Sequence, residues 1–272
     1  MLDYQIKTKA DLQQGNKKGY TPIHIACKLN KMEIVKLLLD KGADVNQKTM
    51  YSNFKWCEYL SLILAGHSKN SIEKYTKELT PLHIAVKKNH VELVQFLLSN
   101  GANIKSRTKF NSRTPLHYAV LKNHQEIIKI LVDHGACIDV VDANGYTPID
   151  FAYYMDQVES FKLLFSNWTN IDKPMNIFNE ALLHLFVKTG KIAFIEAILE
   201  LGADINAKNI DGQTPVHLAA KDGKNDVLDM LFHYGIPRMM KDVIGNNPME
   251  CTLENCNVKT FQSFTYFGHT SN

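Results

Sequence analysis

Eleven histidines and five cysteines are the side chains best placed to do chemistry in this chain. Imidazole and thiolate bind zinc, and they act as bases and nucleophiles, but only when they converge on one point. Five of the histidines (His24, His83, His117, His184 and His217) lie in equivalent sequence contexts, at least one repeat apart. Groups distributed in that way cannot close around one tetrahedral ion. The cysteines at positions 27, 57, 137, 251 and 256 are odd in number and scattered, with no Cys-x-x-Cys spacing. They read as reduced thiols and not as a disulfide framework or a zinc site. No Gly-x-Ser-x-Gly, phosphate-binding glycine loop or His-Glu-x-x-His occurs. The expectation is therefore no catalytic residue, no cofactor and no metal.

The context shared by the histidines is a repeat. Thr21-Pro22-Ile23-His24 returns as Thr80-Pro81-Leu82-His83, Thr114-Pro115-Leu116-His117, Thr147-Pro148-Ile149-Asp150 and Thr214-Pro215-Val216-His217. Weaker copies start at Ala181 and Asn247. The spacings are 59, 34, 33, 34, 33 and 33, so the first interval holds one repeat plus 26 inserted residues. Thr is a helix N-cap and Pro fits the first helical position, where its missing N–H is not needed. Nine residues after each Thr stands Asn30, Asn89, Asn123, Asp156, Gly190 or Gly223, types that tolerate the left-handed turn ending a helix. A second helix with apolar residues at three- and four-residue spacing follows, as in Ile34, Leu37 and Leu38. Gly42, Gly101, Gly135, Gly202 and Gly235 end it, with Trp168 standing in the fourth copy.

This pattern resembles the ankyrin-repeat family in both its signature and its period. The resemblance covers about residues 10 to 272, in seven repeats. It implies an all-α fold, a curved solenoid of stacked helix-turn-helix units joined by β-hairpin loops. Residues 1–16 then form a partial repeat end or an eroded N-terminal cap, because Lys9-Ala10-Asp11-Leu12 aligns with the Gly-Ala-Asp-Val that closes a repeat. Residues 17–272 form the array, with an insertion at about 50–76. In the family the motif His bonds backbone and the motif Thr between neighbouring hairpins, so a structural role is expected for the five histidines. Cys27 and Cys137 fall in slots that take small residues and are expected to pack.

The family's function is protein binding, and the resemblance places contacts just before the motif Thr and seven to eight residues after it. These slots hold Lys18, Tyr20, Lys28, Lys87, Lys88, Arg113, Lys122, Tyr146, Tyr154, Met155 and Gln213. Trp56 in the insertion is a further candidate, as part of a partner-binding finger or of a loop folded back on the array. Residues 1–140 carry a net +9 and residues 141–272 a net −6 within an overall +3. The expected partner is another protein, an acidic segment of it meeting the N-terminal end, with an adaptor, inhibitor or effector role. Small-ligand or nucleic-acid binding by the basic half is the alternative, and so is a targeting role within a larger enzyme. The basic region is dilute for a nucleic-acid surface. No apolar run reaches the roughly 20 residues a membrane helix needs, and no secretory signal is evident, so the expected location is the cytoplasm, or a host cell for an effector. The family also implies hydroxylation of hairpin asparagines by a 2-oxoglutarate oxygenase, with Asn46 and Asn206 in that register.

Overall fold

Each Thr-Pro motif starts a helix because its backbone is already arranged for one. The N-cap residues Thr21, Thr80, Thr114, Thr147 and Thr214 are extended, and Pro occupies the first helical position. The computed structural model describes residues 9–16, 18–49, 78–166, 171–172, 177–236, 239–254 and 260. The described elements are all helices: α1 (Lys9–Gln13), α2 (Pro22–Lys28), α3 (Met32–Asp40), α4 (Pro81–Lys87), α5 (Val91–Ser99), α6 (Pro115–Leu121), α7 (Gln125–Asp133), α8 (Pro148–Tyr154), α9 (Val158–Phe165), α10 (Leu182–Thr189), α11 (Ile192–Glu200), α12 (Pro215–Lys221), α13 (Asn225–His233) and α14 (Pro248–Glu254). The insertion at 50–76, with Trp56, lies outside the described residues, as do Trp168 and Cys256.

The chain divides into two compact units, Met1–Leu164 and Phe165–Asn272. In the first, α2 packs on α3 and α4, α4 on α5 and α6, and α6 on α7 and α8. In the second, α10 packs on α11 and α12, and α12 on α13 and α14. Leu82, Leu93, Leu97, Leu116, Ile127, Ile128 and Leu131 are fully buried in the first core, and Phe194, Ile195, Ile198, Val216, Leu228 and Leu231 in the second. No single helix pair covers its own apolar face, so each core exists only through stacking.

Two kinds of turn set the repeat geometry. Asn30, Asn89, Asn123, Asp156, Gly190 and Gly223 all take positive φ, between 52° and 75°, as their types predict. A second left-handed site, two residues before each motif Thr, was not expected where its residue is Glu78 (φ 41°) or Ser112 (φ 53°). The connections between repeats are hairpin-shaped but form no strand among the described residues. They are closed by short-range backbone bonds, such as Asp142 N–H to Tyr146 O at 2.8 Å and Asn209 N–H to Gln213 O at 3.0 Å. An Asx side chain braces these two from within: Asp142 Oδ1 accepts from the N–H groups of Asn144 and Tyr146, and Asn209 Oδ1 from those of Asp211 and Gln213. Lys9–Gln13 is a helical turn and not the extended segment that its alignment with Gly-Ala-Asp-Val implies. Lys9 stands where the glycine would make the left-handed break.

The motif histidines are structural. In each, Nδ1 accepts the N-cap N–H, at 3.2 Å in His24, 3.3 Å in His83, 3.1 Å in His117, 3.2 Å in His184 and 3.1 Å in His217. With Nδ1 accepting, the proton sits on Nε2, which donates to the next repeat: His83 to Arg113 O at 3.2 Å, His117 to Tyr146 O at 3.2 Å and His184 to Gln213 O at 3.1 Å. Ala181 lacks the Thr hydroxyl and keeps the cap, so the ring makes the cap without help from the motif Thr. Asp150 accepts from the N–H and hydroxyl of Thr147 but has no ring nitrogen to donate onward.

All five rings are buried, and desolvation lowers their pKa values, to about 4 in His24 and His117 and about 3 in His83. Below pH 6.5 the unfolded chain takes up protons that the folded rings refuse. Stability is therefore full above pH 6.5 and falls as the pH drops toward 4, each ring contributing a slope of up to about 1.4 kcal/mol per pH unit. Urea midpoints measured from pH 7.5 to 4.5 are expected to fall steadily through this window, and a His83→Gln variant to fall less steeply. The left-handed turns give a second expectation. Asn89 is exposed at φ 60°, so Asn89→Ala is expected to lose about 1 kcal/mol in urea unfolding, while Asn89→Gly keeps wild-type stability or gains slightly.

Candidate partner-binding surface

The residue before each motif Thr is held by the hairpin, and the residue seven places after it by the end of the first helix of the repeat. The structure brings the two together. The Lys28 ammonium lies 5.7 Å from the Tyr20 ring centroid. The Tyr146 and Tyr154 rings meet edge to face at 5.7 Å. Lys188 Nζ donates to Glu180 Oε1 at 2.5 Å. Residue types in this one geometric slot therefore set what each repeat offers: a cation on a ring, a pair of rings, or a neutralised ion pair.

In the first unit, Lys18, Tyr20 and Lys28 line one open groove with Asn16, Ile25 and Leu29. Ile25 and Leu29 are exposed at 38% and 60% and give this basic groove an apolar floor that spacing rules did not single out. Lys88 and Lys122 are exposed on the same helix ends. Lys87 reaches across to the Tyr118 ring of the next repeat at 4.9 Å. Tyr146, Tyr154 and Met155 are exposed at 41%, 64% and 48%. Tyr146 also packs on Phe151 at 5.8 Å, and Tyr153 on Tyr154 at 5.6 Å. The rings are thus supported from behind while their outer faces meet solvent, which lowers the ordering cost of using them as anchors.

Arg113 is held differently. Its Nε donates to Asp142 Oδ2 at 3.0 Å and its guanidinium lies 4.9 Å from the Phe151 centroid. Burial raises the Asp142 pKa, but the Asn144 N–H and Arg113 outweigh it, and the net shift is downward. Arg113 therefore secures the Asx-braced hairpin that carries Tyr146. Tyr118, buried, and Phe151, half-buried, both four residues after a motif Thr, are the supporting residues that sequence reasoning missed. Their signal was an aromatic type at a fixed register beside the predicted lysines.

In the second unit, Gln213 is half-buried and its carbonyl is taken by His184. Glu180 is 3% exposed and paired with Lys188, so it offers no free charge. Asp211 and Asp222 remain exposed. Cys27 is buried, which pushes its thiol up to about 12. Cys137 is exposed, its thiol donating to Asp139 at 2.8 Å, so it does not pack as expected: its slot opens outward beyond α7. The Asn46 amide bridges the next repeat, donating to Gly101 O at 3.1 Å and accepting from Asn103 N–H at 2.6 Å. Asn206 Oδ1 has no such donor. The residue in the register of Asn103 is Pro237, which has no N–H.

Ankyrin-repeat models match residues 18–50, 50–142, 82–177 and 162–242. The chain belongs to the ankyrin-repeat family. It is 33% identical to the human palmitoyltransferase ZDHHC13 over 211 residues, which is 75% of this chain and 29% of that protein. A putative ankyrin repeat protein of fowlpox virus, FPV230, is 27% identical over 57% of this chain and 81% of its own length. Among solved structures, the ankyrin domain of Bcl-3 aligns with a TM-score of 0.57 at 21% identity, covering 86% of this chain and 94% of that one. The ankyrin domain of human ASB11 aligns with a TM-score of 0.50 at 22% identity over 89% and 98%. These likenesses establish the fold. Ankyrin repeats are in general protein-interaction modules and typically non-catalytic. Among the described residues no helix is long and apolar enough to cross a membrane.

The Glu180–Lys188 pair yields its own expectation. Lys188→Met removes the ion-pair partner of a nearly buried carboxylate, and the partial exposure of Lys188 limits the loss to about 1–2 kcal/mol in urea unfolding. The double change Glu180→Gln with Lys188→Met is expected to recover most of that loss.

Proposed function

We propose that this chain is a non-catalytic adaptor, inhibitor or effector module. It binds another protein through the surface formed by the hairpin residues before each motif and the ends of the first helices. The observation that carries the reading is the Tyr146–Tyr154 pair with Met155, exposed yet braced by Phe151 and Tyr153. Exposed aromatic residues held rigid from behind are the usual anchors of an interface. Lys18, Lys28, Lys87, Lys88 and Lys122 belong to the same unit and favour a partner with an acidic segment next to its apolar anchor. Arg113 acts as support, and Gln213 as a rim contact in the second unit. The buried thiols Cys27 and Cys251 are compatible with a reducing compartment, the cytoplasm of the cell or of a host. Asn46, half-buried with its amide bonded to Gly101 and Asn103, is a candidate for hydroxylation, as is the half-buried Asn206.

A second reading, the recruiting part of a larger protein, is supported by the ZDHHC13 likeness, because the chain spans 29% of that relative. Both readings use the same surface. Tyr146→Ala combined with Tyr154→Ala is expected to weaken capture of partner proteins about a hundredfold while leaving the unfolding midpoint nearly unchanged. Full-strength binding by this variant rejects the surface. Lys87→Glu with Lys88→Glu is expected to slow association more than it speeds dissociation, and the effect should shrink as salt rises.

A further inference from the structure

The hairpin tips of the second unit are apolar and exposed. Three and four residues before the motif position stand Ile177 and Phe178, Ile210 and Asp211, and Val243 and Ile244. Ile177 is 87% exposed, Phe178 54%, Ile210 62%, Val243 74% and Ile244 81%. The tips are joined to each other: Ile210 N–H donates to Phe178 O at 2.9 Å, and Val243 N–H to Asp211 O at 3.0 Å. Five large apolar side chains on a backbone tied in this way form one contiguous strip, which water leaves at a gain when something covers it. The corresponding positions of the first unit hold Lys17 and Lys18, Thr76 and Lys77, Phe110 and Asn111, and Ala143 and Asn144, with Phe110 the one large apolar residue among them, so the continuous strip is a property of the second unit's repeats and not of the hairpin as such.

Asp211 is the only charged residue among those six. Its carboxylate is exposed, at the centre of the strip, and makes no ion pair among the described residues. Lys208 and Lys241 are exposed further back, at the hairpin bases. Residues 165–272 carry a net −3. A second copy of this chain is a poor occupant, because a two-fold pairing centred on the middle repeat sets Asp211 against Asp211.

We infer that the strip Ile177–Phe178–Ile210–Val243–Ile244 is a second docking surface, and that it takes a protein segment with aliphatic side chains on either side of a central Arg or Lys. The aliphatic residues cover the strip, and the basic group meets Asp211. The negative unit steers such a segment and repels an acidic one. The basic groove of the first unit selects the opposite charge, so the two surfaces admit different ligands.

The test uses the full chain and fluorescein-labelled peptides of about 15 residues that share their Leu and Ile positions and carry Arg, Ser or Glu at the centre. Anisotropy titrations are expected to show the Arg peptide binding roughly fivefold tighter than the Ser peptide and at least about tenfold tighter than the Glu peptide. Asp211→Asn should shrink that preference to about twofold or less. Ile210→Ser with Ile244→Ser should weaken the Arg peptide about tenfold or more. It should not move the thermal midpoint, since both side chains are exposed. Lys129→Glu, on an exposed position of α7 outside both surfaces, should leave the Arg peptide unaffected. Equal affinity for all three peptides overturns the inference, as does full binding by the isoleucine variant or no binding by any peptide. A wild-type dimer in sedimentation that the isoleucine variant dissociates assigns the strip to a second copy and overturns it as well.

Discussion

One imidazole ring makes two bonds that no other side chain in the motif could make together. Its Nδ1 accepts the N–H that starts its own helix, and its Nε2 donates to the carbonyl that ends the neighbouring hairpin. The first bond fixes where the helix begins. The second fixes how far away the next repeat sits, and in what register. The first needs the neutral ring, since a protonated Nδ1 cannot accept, and burial keeps it neutral. The surface side chains inherit their positions from this bond, because the accepting carbonyls belong to Leu79, Arg113, Tyr146, Gln213 and Asn246, the residues just before each motif. The side chains that face a partner are thus carried on the same peptide units that hold the stack together.

Much of this was readable before any coordinates. Asn30, Asn89, Asn123 and Asp156 could be assigned to left-handed turns from residue type and register alone, since few other types tolerate that conformation. The two-helix repeat followed from the same periodicity, and the structural role of the histidines from the resemblance to the family. Glu78 and Ser112 could not be read in that way. Their left-handed backbone is imposed by the hairpin around them, and in Glu78 the carboxylate finds Lys48 and Lys109.

The surface was less readable, for a reason of distance. Pairing of Tyr146 with Tyr154, or of Glu180 with Lys188, joins residues eight apart, through a hairpin and a full helix. Repeat alignment named Tyr146 and Tyr154 but not their contact. Arg113 looked like a free cation because Asp142, which holds it, lies on the next hairpin. The apolar tips were invisible as a set, because Ile177, Ile210 and Val243 are about one period apart and each alone is an ordinary exposed residue.

The slot formed before the motif and at the end of the first helix has a consequence for recognition. In successive repeats of the first unit it is filled by Tyr20 with Lys28, Leu79 with Lys87, Arg113 with Leu121 and Tyr146 with Tyr154. A uniform array would let a ligand slip along by one unit at little cost. Here every such displacement exchanges one chemical pair for another, so a bound chain is held at a single offset by mismatch everywhere else.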